Sequence, residues 1–209
     1  MALETTRAPA VAGSFYPASP EGLDALVDRL LAPHDAGAAP PGPPPKALIV
    51  PHAGYVYSGP IAASAFARLL PSRGAITRVV LLGPAHRVRV EGLVSPGVAR
   101  MRTPLGDVAV DTDALAALGD VRADPRAHAA EHSLEVELPF LQKVAPGARV
   151  VPLAVGEAHP DDVARRLEAL WGGPETLIVI SSDLSHYLPY DAGRARARRR
   201  TGGSGRGPS

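Results

Sequence analysis

Three short apolar runs each lead directly into a polar motif that carries a histidine. ALIV (47–50) runs into Pro51-His52-Ala53-Gly54, RVVLLG (78–83) into Pro84-Ala85-His86, and TLIVIS (176–181) into Ser182-Asp183-Leu184-Ser185-His186. A fourth cluster, Glu131-His132-Ser133, stands where a helical pattern begins. Neutral imidazole suits iron, zinc, copper and nickel, and two histidines with one carboxylate form the open site of non-haem iron oxygenases. Imidazoles left over can orient the ligands or act as a general base near neutral pH. A single histidine more often caps a turn or bonds a carbonyl, so the argument rests on three strand ends together. The spacing predicts a metal or catalytic site and does not choose the metal. Of the seven histidines, His34, His128 and His159 fall in loops or at a helix start, outside this pattern.

Other chemistries have less support. No GxGxxG follows a strand and there is no P-loop sequence, so nucleotide binding lacks its usual cradle. Ser58, Ser181 and Ser182 sit in no GxSxG elbow, and backbone capping is the simpler role for them. Tyr55 and Tyr57, just past His52, can line a pocket or pack in the core with the hydroxyl satisfied.

The elements that must position these motifs follow from periodicity. Near-continuous apolar runs at 47–50, 78–83, 149–155 and 176–181 read as strands buried on both faces, as in a parallel or mixed sheet covered by helices. In such sheets ligands bind outside the carboxyl ends of the strands, which is where the motifs lie. Helical spacing appears over 20–32, 60–70, 111–118, 133–144 and 159–171, with Asp111 as an N-cap and Pro139 marking a kink or a late start. Segment 90–110 alternates around Gly and Pro and predicts a small antiparallel excursion. Residues 35–45, DAGAAPPGPPP, form a loop. The sum is a three-layer α/β fold with a mixed, mostly parallel central sheet.

Composition sets the outer limits. With 209 residues, 45% hydrophobic and a net charge of +1, the chain is long and apolar enough for one globular domain. It has no cysteine, which removes disulfides and thiolate ligands. No window approaches a membrane span, and the first residues, MALETTRAPA, do not have the pattern of a secretory signal; a cytoplasmic location is the expectation. Six of the 22 basic groups lie in the last 18 residues, which leaves 16 against 21 acidic groups, a net of −5, in the rest. A body of that sign predicts no nucleic-acid partner.

At the same residues the sequence resembles a known family. Arg7-Ala-Pro-Ala-Val-Ala-Gly-Ser-Phe-Tyr-Pro17, Pro51-His52-Ala-Gly-Tyr55, Gly83-Pro-Ala-His86, Arg102-Thr-Pro-Leu105, Glu131-His132-Ser-Leu-Glu135 with Leu138-Pro139, and Ser181-Ser-Asp-Leu-Ser-His186 look like the Memo family, called AmmeMemoRadiSam system protein B in prokaryotes. The likeness runs from about residue 7 to about residue 191. It implies a fold similar to class III extradiol ring-cleavage dioxygenases and a dioxygenase-like oxidoreductase using iron or copper. A ligand- or peptide-binding protein and a metal-dependent hydrolase are the alternatives. By the resemblance His52 and His86 are the metal ligands, His186 the acid/base with Asp183 beside it, and His132 a pocket-lining member of the catalytic set. A radical-SAM protein and a third protein are the implied partners, and the ligand is a small molecule or peptide. The family's site is completed by a cysteine further along, so this cysteine-free sequence predicts a centre with two protein ligands and weak metal binding. Residues 192–209 do not look like family sequence. They are expected to form a disordered tail after a single, C-terminally incomplete domain over 1–191.

Overall fold

Val79-Val80-Leu81-Leu82 shows why the central strands read as unbroken apolar runs. In a strand successive side chains point to opposite faces. Val79 and Leu81 enter one hydrophobic cluster while Val80 and Leu82 enter another. The computed structural model describes residues 6–35, 44–183 and 188–201. In chain order they form β1 (Thr6–Arg7), α1 (Pro20–Asp35), β2 (Ala47–Val50), α2 (Tyr55–Phe66), β3 (Arg78–Pro84), β4 (Leu93–Ser95), β5 (Arg100–Thr103) and β6 (Gly106–Ala109). Then follow α3 (Thr112–Ala117), β7 (Arg122–Ala123), α4 (Pro125–Ala129), α5 (Leu138–Val144), β8 (Arg149–Val155), α6 (Pro160–Ala169), β9 (Thr176–Ser181) and α7 (Tyr190–Thr201).

The main sheet has six strands in the order β2-β9-β3-β8-β4-β7, parallel throughout except where β4 meets β8. Helices α1, α2 and α5 cover one face through Leu23, Val27, Phe66 and Phe140, and α3 and α6 cover the other through Ala114, Val163 and Leu167. The α/β expectation thus describes the observed layers. The excursion over 90–110 is β4 followed by the antiparallel pair β5–β6, which joins β1 in a separate three-stranded sheet.

β1 is short, but its Arg7 is anchored in the core. Arg7 Nη1 pairs with Glu135 at 2.5 Å, Nε donates to the His128 carbonyl at 2.8 Å, and Nη2 donates to the Glu131 carbonyl at 2.5 Å. Glu135 also accepts from the Ala10 and Val11 amides and the Tyr16 hydroxyl. Just before β2 of the main sheet, Lys46 Nζ donates to the carbonyls of Trp171, Gly173 and Thr176 and lies over the Trp171 ring.

Several boundaries differ from the sequence reading. α2 begins at Tyr55, not at Pro60, because the carbonyl that Pro60 leaves unbonded belongs to the exposed Val56, where water can bond it. The stretch 133–144 divides into a 3₁₀ turn, Glu135–Glu137, and α5, whose first turn holds Pro139. Asp111 caps α3 as expected, accepting from the Ala114 amide. Residues 192–201, expected to be disordered, belong to α7 instead, since alternating Ala and Arg are strong helix formers. The remaining tail residues, 202–209, lie outside the described ones. No described helix is long and apolar enough to cross a membrane.

Candidate metal centre

β2, β9 and β3 are adjacent and parallel, with Val50 level with Ser181 and Leu82 with Ile180. Their carboxyl ends therefore place His52, Asp183 and His86 side by side. The segment carrying His132 is drawn onto the same edge by Ser133, whose Oγ donates to the Pro84 carbonyl at 2.8 Å. Gly83 permits that approach: a Cβ there would stand 2.8 Å from Ser133 Oγ and 2.9 Å from Leu134 Cδ2. Ring centroids are 5.1 Å apart for His52–His86, 5.7 Å for His52–His132 and 4.7 Å for His86–His132. One ring nitrogen from each lies within 4.8 Å of the other two.

Hydrogen bonds fix two of the tautomers. His86 Nδ1 is 2.9 Å from Glu131 Oε1, and an ionised carboxylate only accepts, so Nδ1 carries the proton. His52 Nδ1 is 2.8 Å from Ser181 Oγ, whose hydroxyl donates to the Ser133 carbonyl at 2.6 Å and has Glu137 Oε1 at 3.0 Å. Ser181 has one proton, and the Ser133 carbonyl needs it, so His52 Nδ1 must donate to Ser181. In both imidazoles Nε2 remains as the basic nitrogen. The His132 ring stacks on His86 at 20° and packs against Phe15, and its buried Nδ1 lies 3.3 Å from Glu131 Oε1.

A family model described as "Memo-like protein" matches residues 7–201 of the chain. The chain belongs to the Memo family. A MEMO1 family protein of Methanopyrus kandleri is 37% identical over 92% of this chain and 73% of its own length. One from Ignicoccus hospitalis is 41% identical over 88% and 70%, and the Protein memo-1 homolog of Caenorhabditis elegans is 37% identical over 90% and 56%. The Memo match extends ten residues past the boundary expected at 191.

The electrostatics of this Memo site favour neutral imidazoles. Burial, reinforced by His86 and His132, outweighs the pull of Asp183 and Glu131 and lowers His52 to about 4. Burial likewise lowers His132. Only the neutral ring has a lone pair for a metal, so His52 is ready to ligate at neutral pH. Burial would raise the Glu131 carboxyl, but hydrogen bonds from His86 Nδ1, the His86 amide and the Ser133 amide hold it at about 2. Burial pushes Glu137 well above its ordinary value. Three imidazoles that each bring a ring nitrogen within 4.8 Å of the other two are a donor set that fits a transition-metal ion.

The structure thus brings together three histidines where the sequence reading supplied two ligands. His132 joins the other two because Ser133 and Glu131 hold its segment against the strand ends. Asp183 lies in the same cleft: its Oδ1 accepts from the His52 amide at 2.9 Å and its Oδ2 is 3.9 Å from His52 Nε2. His186 lies outside the described residues. His34 is near the end of α1, His128 is buried against the Val94 carbonyl, and His159 caps α6. Glu137 and the hydrogen-bonding role of Ser181 were missed. Glu137 gave one signal, an acid placed among apolar residues in VELPF.

Proposed function

We propose that the chain is a metal-dependent oxidoreductase of the dioxygenase-like type, with His52, His86 and His132 as the residues that hold the metal. The observation that carries this reading is the convergence of three imidazole nitrogens within 4.8 Å at the carboxyl ends of parallel strands. A bound iron or copper ion would supply redox chemistry and open coordination positions. His52 is buried and rigid, whereas about a third of the His86 side chain is exposed, so a substrate approaches from the His86 side. Asp183 is placed by the His52 amide to take a proton at the mouth of the cluster. The resemblance gives the complementary proton-transfer role to His186, three residues on. A separate open cleft of about 420 Å³ on the outer side of Asp183 is lined by Ile49, Pro51, Tyr57 and Ile61 and by none of the three histidines.

A metal-dependent hydrolase is the second reading, favoured by the donor set. Three imidazoles with no thiolate form the zinc site of carbonic anhydrase, where the fourth position holds a reactive water.

Calorimetric titration with Fe(II), Cu(II) and Zn(II), followed by oxygen uptake with a panel of catechols, tests both. His52→Ala, His86→Ala and His132→Ala should each weaken binding strongly, and His34→Ala should leave it unchanged. Oxygen uptake by the iron-loaded protein supports the oxidoreductase. Ester hydrolysis by the zinc form without oxygen uptake moves the assignment to the second reading. Tight binding with neither activity makes the cleft a ligand-binding site. Absence of metal binding overturns all metal-dependent readings.

A further inference from the structure

Glu131 is almost fully buried, yet nothing in the proposed chemistry uses it. Its carboxylate receives four N–H groups. The His86 amide donates to Oε2, while His86 Nδ1, the His132 amide and the Ser133 amide donate to Oε1 at 2.9, 2.8 and 2.9 Å. Two of these donors belong to the segment that leaves β3, and two to the segment that follows α4. A single side chain therefore joins the two stretches of backbone that carry His86 and His132.

We propose that Glu131 is the positioning residue of this centre, holding His86 with Nδ1 protonated and Nε2 turned to the other imidazoles. The proposal rests on the reading of the histidine cluster as a metal site. His86 needs such a device more than its neighbours do. About a third of its side chain is exposed, whereas His52 is enclosed and His132 is wedged between Phe15 and His86. Stacking on His132 does not choose a tautomer for His86, and a carboxylate on Nδ1 does. Glu131 in turn cannot swing away, because Arg7 clamps its carbonyl and the carbonyl of His128 from the core side.

A merely structural role would be to cap the His132 and Ser133 amides, and one variant separates the two roles. Glu131→Asp shortens the side chain by one methylene. An aspartate can still bond the amides of the next residues in an Asx-type turn, but it loses the reach to His86 across the gap. Imidazole ¹⁵N–¹H correlation spectra of the metal-free protein read the tautomer directly, and Co(II) titration reads the assembled site. Wild-type His86 should be in the Nδ1–H form. Glu131→Asp should stay folded with a lower urea midpoint, because the His86 amide loses its acceptor, and should lose the Nδ1–H preference at His86 and bind Co(II) about 10–100-fold more weakly. A wild-type His86 in the Nε2–H form overturns the proposal without any variant. So does a Glu131→Asp protein with unchanged tautomer and unchanged Co(II) affinity. If wild type holds the stated tautomer but binds no Co(II), the metal reading fails while the placement of His86 by Glu131 stands.

Discussion

Replacing Glu135 by glutamine keeps the shape of the side chain and removes one charge from the most enclosed ion pair among the described residues. Glu135 has no exposed surface, and its partner Arg7 has 6% of its side chain exposed. Breaking a buried pair from one side leaves an uncompensated charge and costs about 3–5 kcal/mol. The carboxylate also accepts from Ala10 N, Val11 N and Tyr16 Oη. The glutamine oxygen can keep the two donors on Oε1, Val11 N and Tyr16 Oη. Its NH₂ then faces Ala10 N and Arg7, and the orphaned amide adds about 1–3 kcal/mol. The total, about 4–8 kcal/mol, is comparable with the whole stability of an ordinary domain, about 5–15 kcal/mol. Urea unfolding followed by circular dichroism gives the change. The cycle with Arg7→Met should show a coupling of about 2–3 kcal/mol, because the double variant no longer buries a lone guanidinium. A Glu135→Gln protein within about 1 kcal/mol of wild type, or an additive cycle, would refute the claim that this pair pins the N-terminal strand.

Three further outcomes are expected. Gly83→Ala should drive the Ser133 segment off β3, cost about 1–3 kcal/mol in urea unfolding and weaken Co(II) binding; an unchanged midpoint and affinity would mean that the contact yields freely. Glu137 has its folded-state pKa raised by burial, so its contribution to stability is complete below about 4.5, the usual glutamate value, and is lost as pH rises toward the folded pKa. Wild type should therefore lose up to about 1.4 kcal/mol per pH unit relative to Glu137→Gln above that point, and parallel pH profiles would contradict it. β2 pairs with β9 on one side and has no other partner strand among the described residues, and its Ile49 is 63% exposed. Ile49→Lys should thus leave stability within about 0.5 kcal/mol and reduce concentration-dependent association in sedimentation velocity. Equal association in both proteins would place the contact elsewhere.

What could be read in the sequence depended on how local each cause was. The strand runs at 149–155 and 176–181 were placed to the residue, since a strand buried on both faces imprints an unbroken apolar run. The run at 47–50 was placed as well, but as an edge strand whose Ala47 and Ile49 are exposed, not buried on both faces as expected. The meeting of His52, His86 and Asp183 followed from those ends and from the rule that parallel strands present them on one edge. Nothing local reveals that His132 joins them, because the Ser133–Pro84 contact spans 49 residues and depends on a missing Cβ at Gly83. The same holds for Arg7 and Glu135, which meet across 128 residues. Periodicity also misled where proline intervened. Pro60 looked like a first helical residue and Pro139 allowed two readings, and only the surrounding packing decided between them.

The chain has two lysines against 20 arginines, and both are tied down: Lys143 to Asp24 and Asp28, Lys46 to three carbonyls below Trp171. An ammonium that spends its three N–H groups on carbonyls offers no lone pair to an electrophile until the loop around Trp171 lets go. Acylation of Lys46 by an amine-directed reagent, resolved by mass spectrometry, then measures how often that corner of the sheet opens. Lys143 serves as an internal clock for the helical side, where α1 meets α5. The scarcity of lysine gives this protein two built-in footprinting sites, one at the start of β2 and one where α5 meets α1, with no label to engineer.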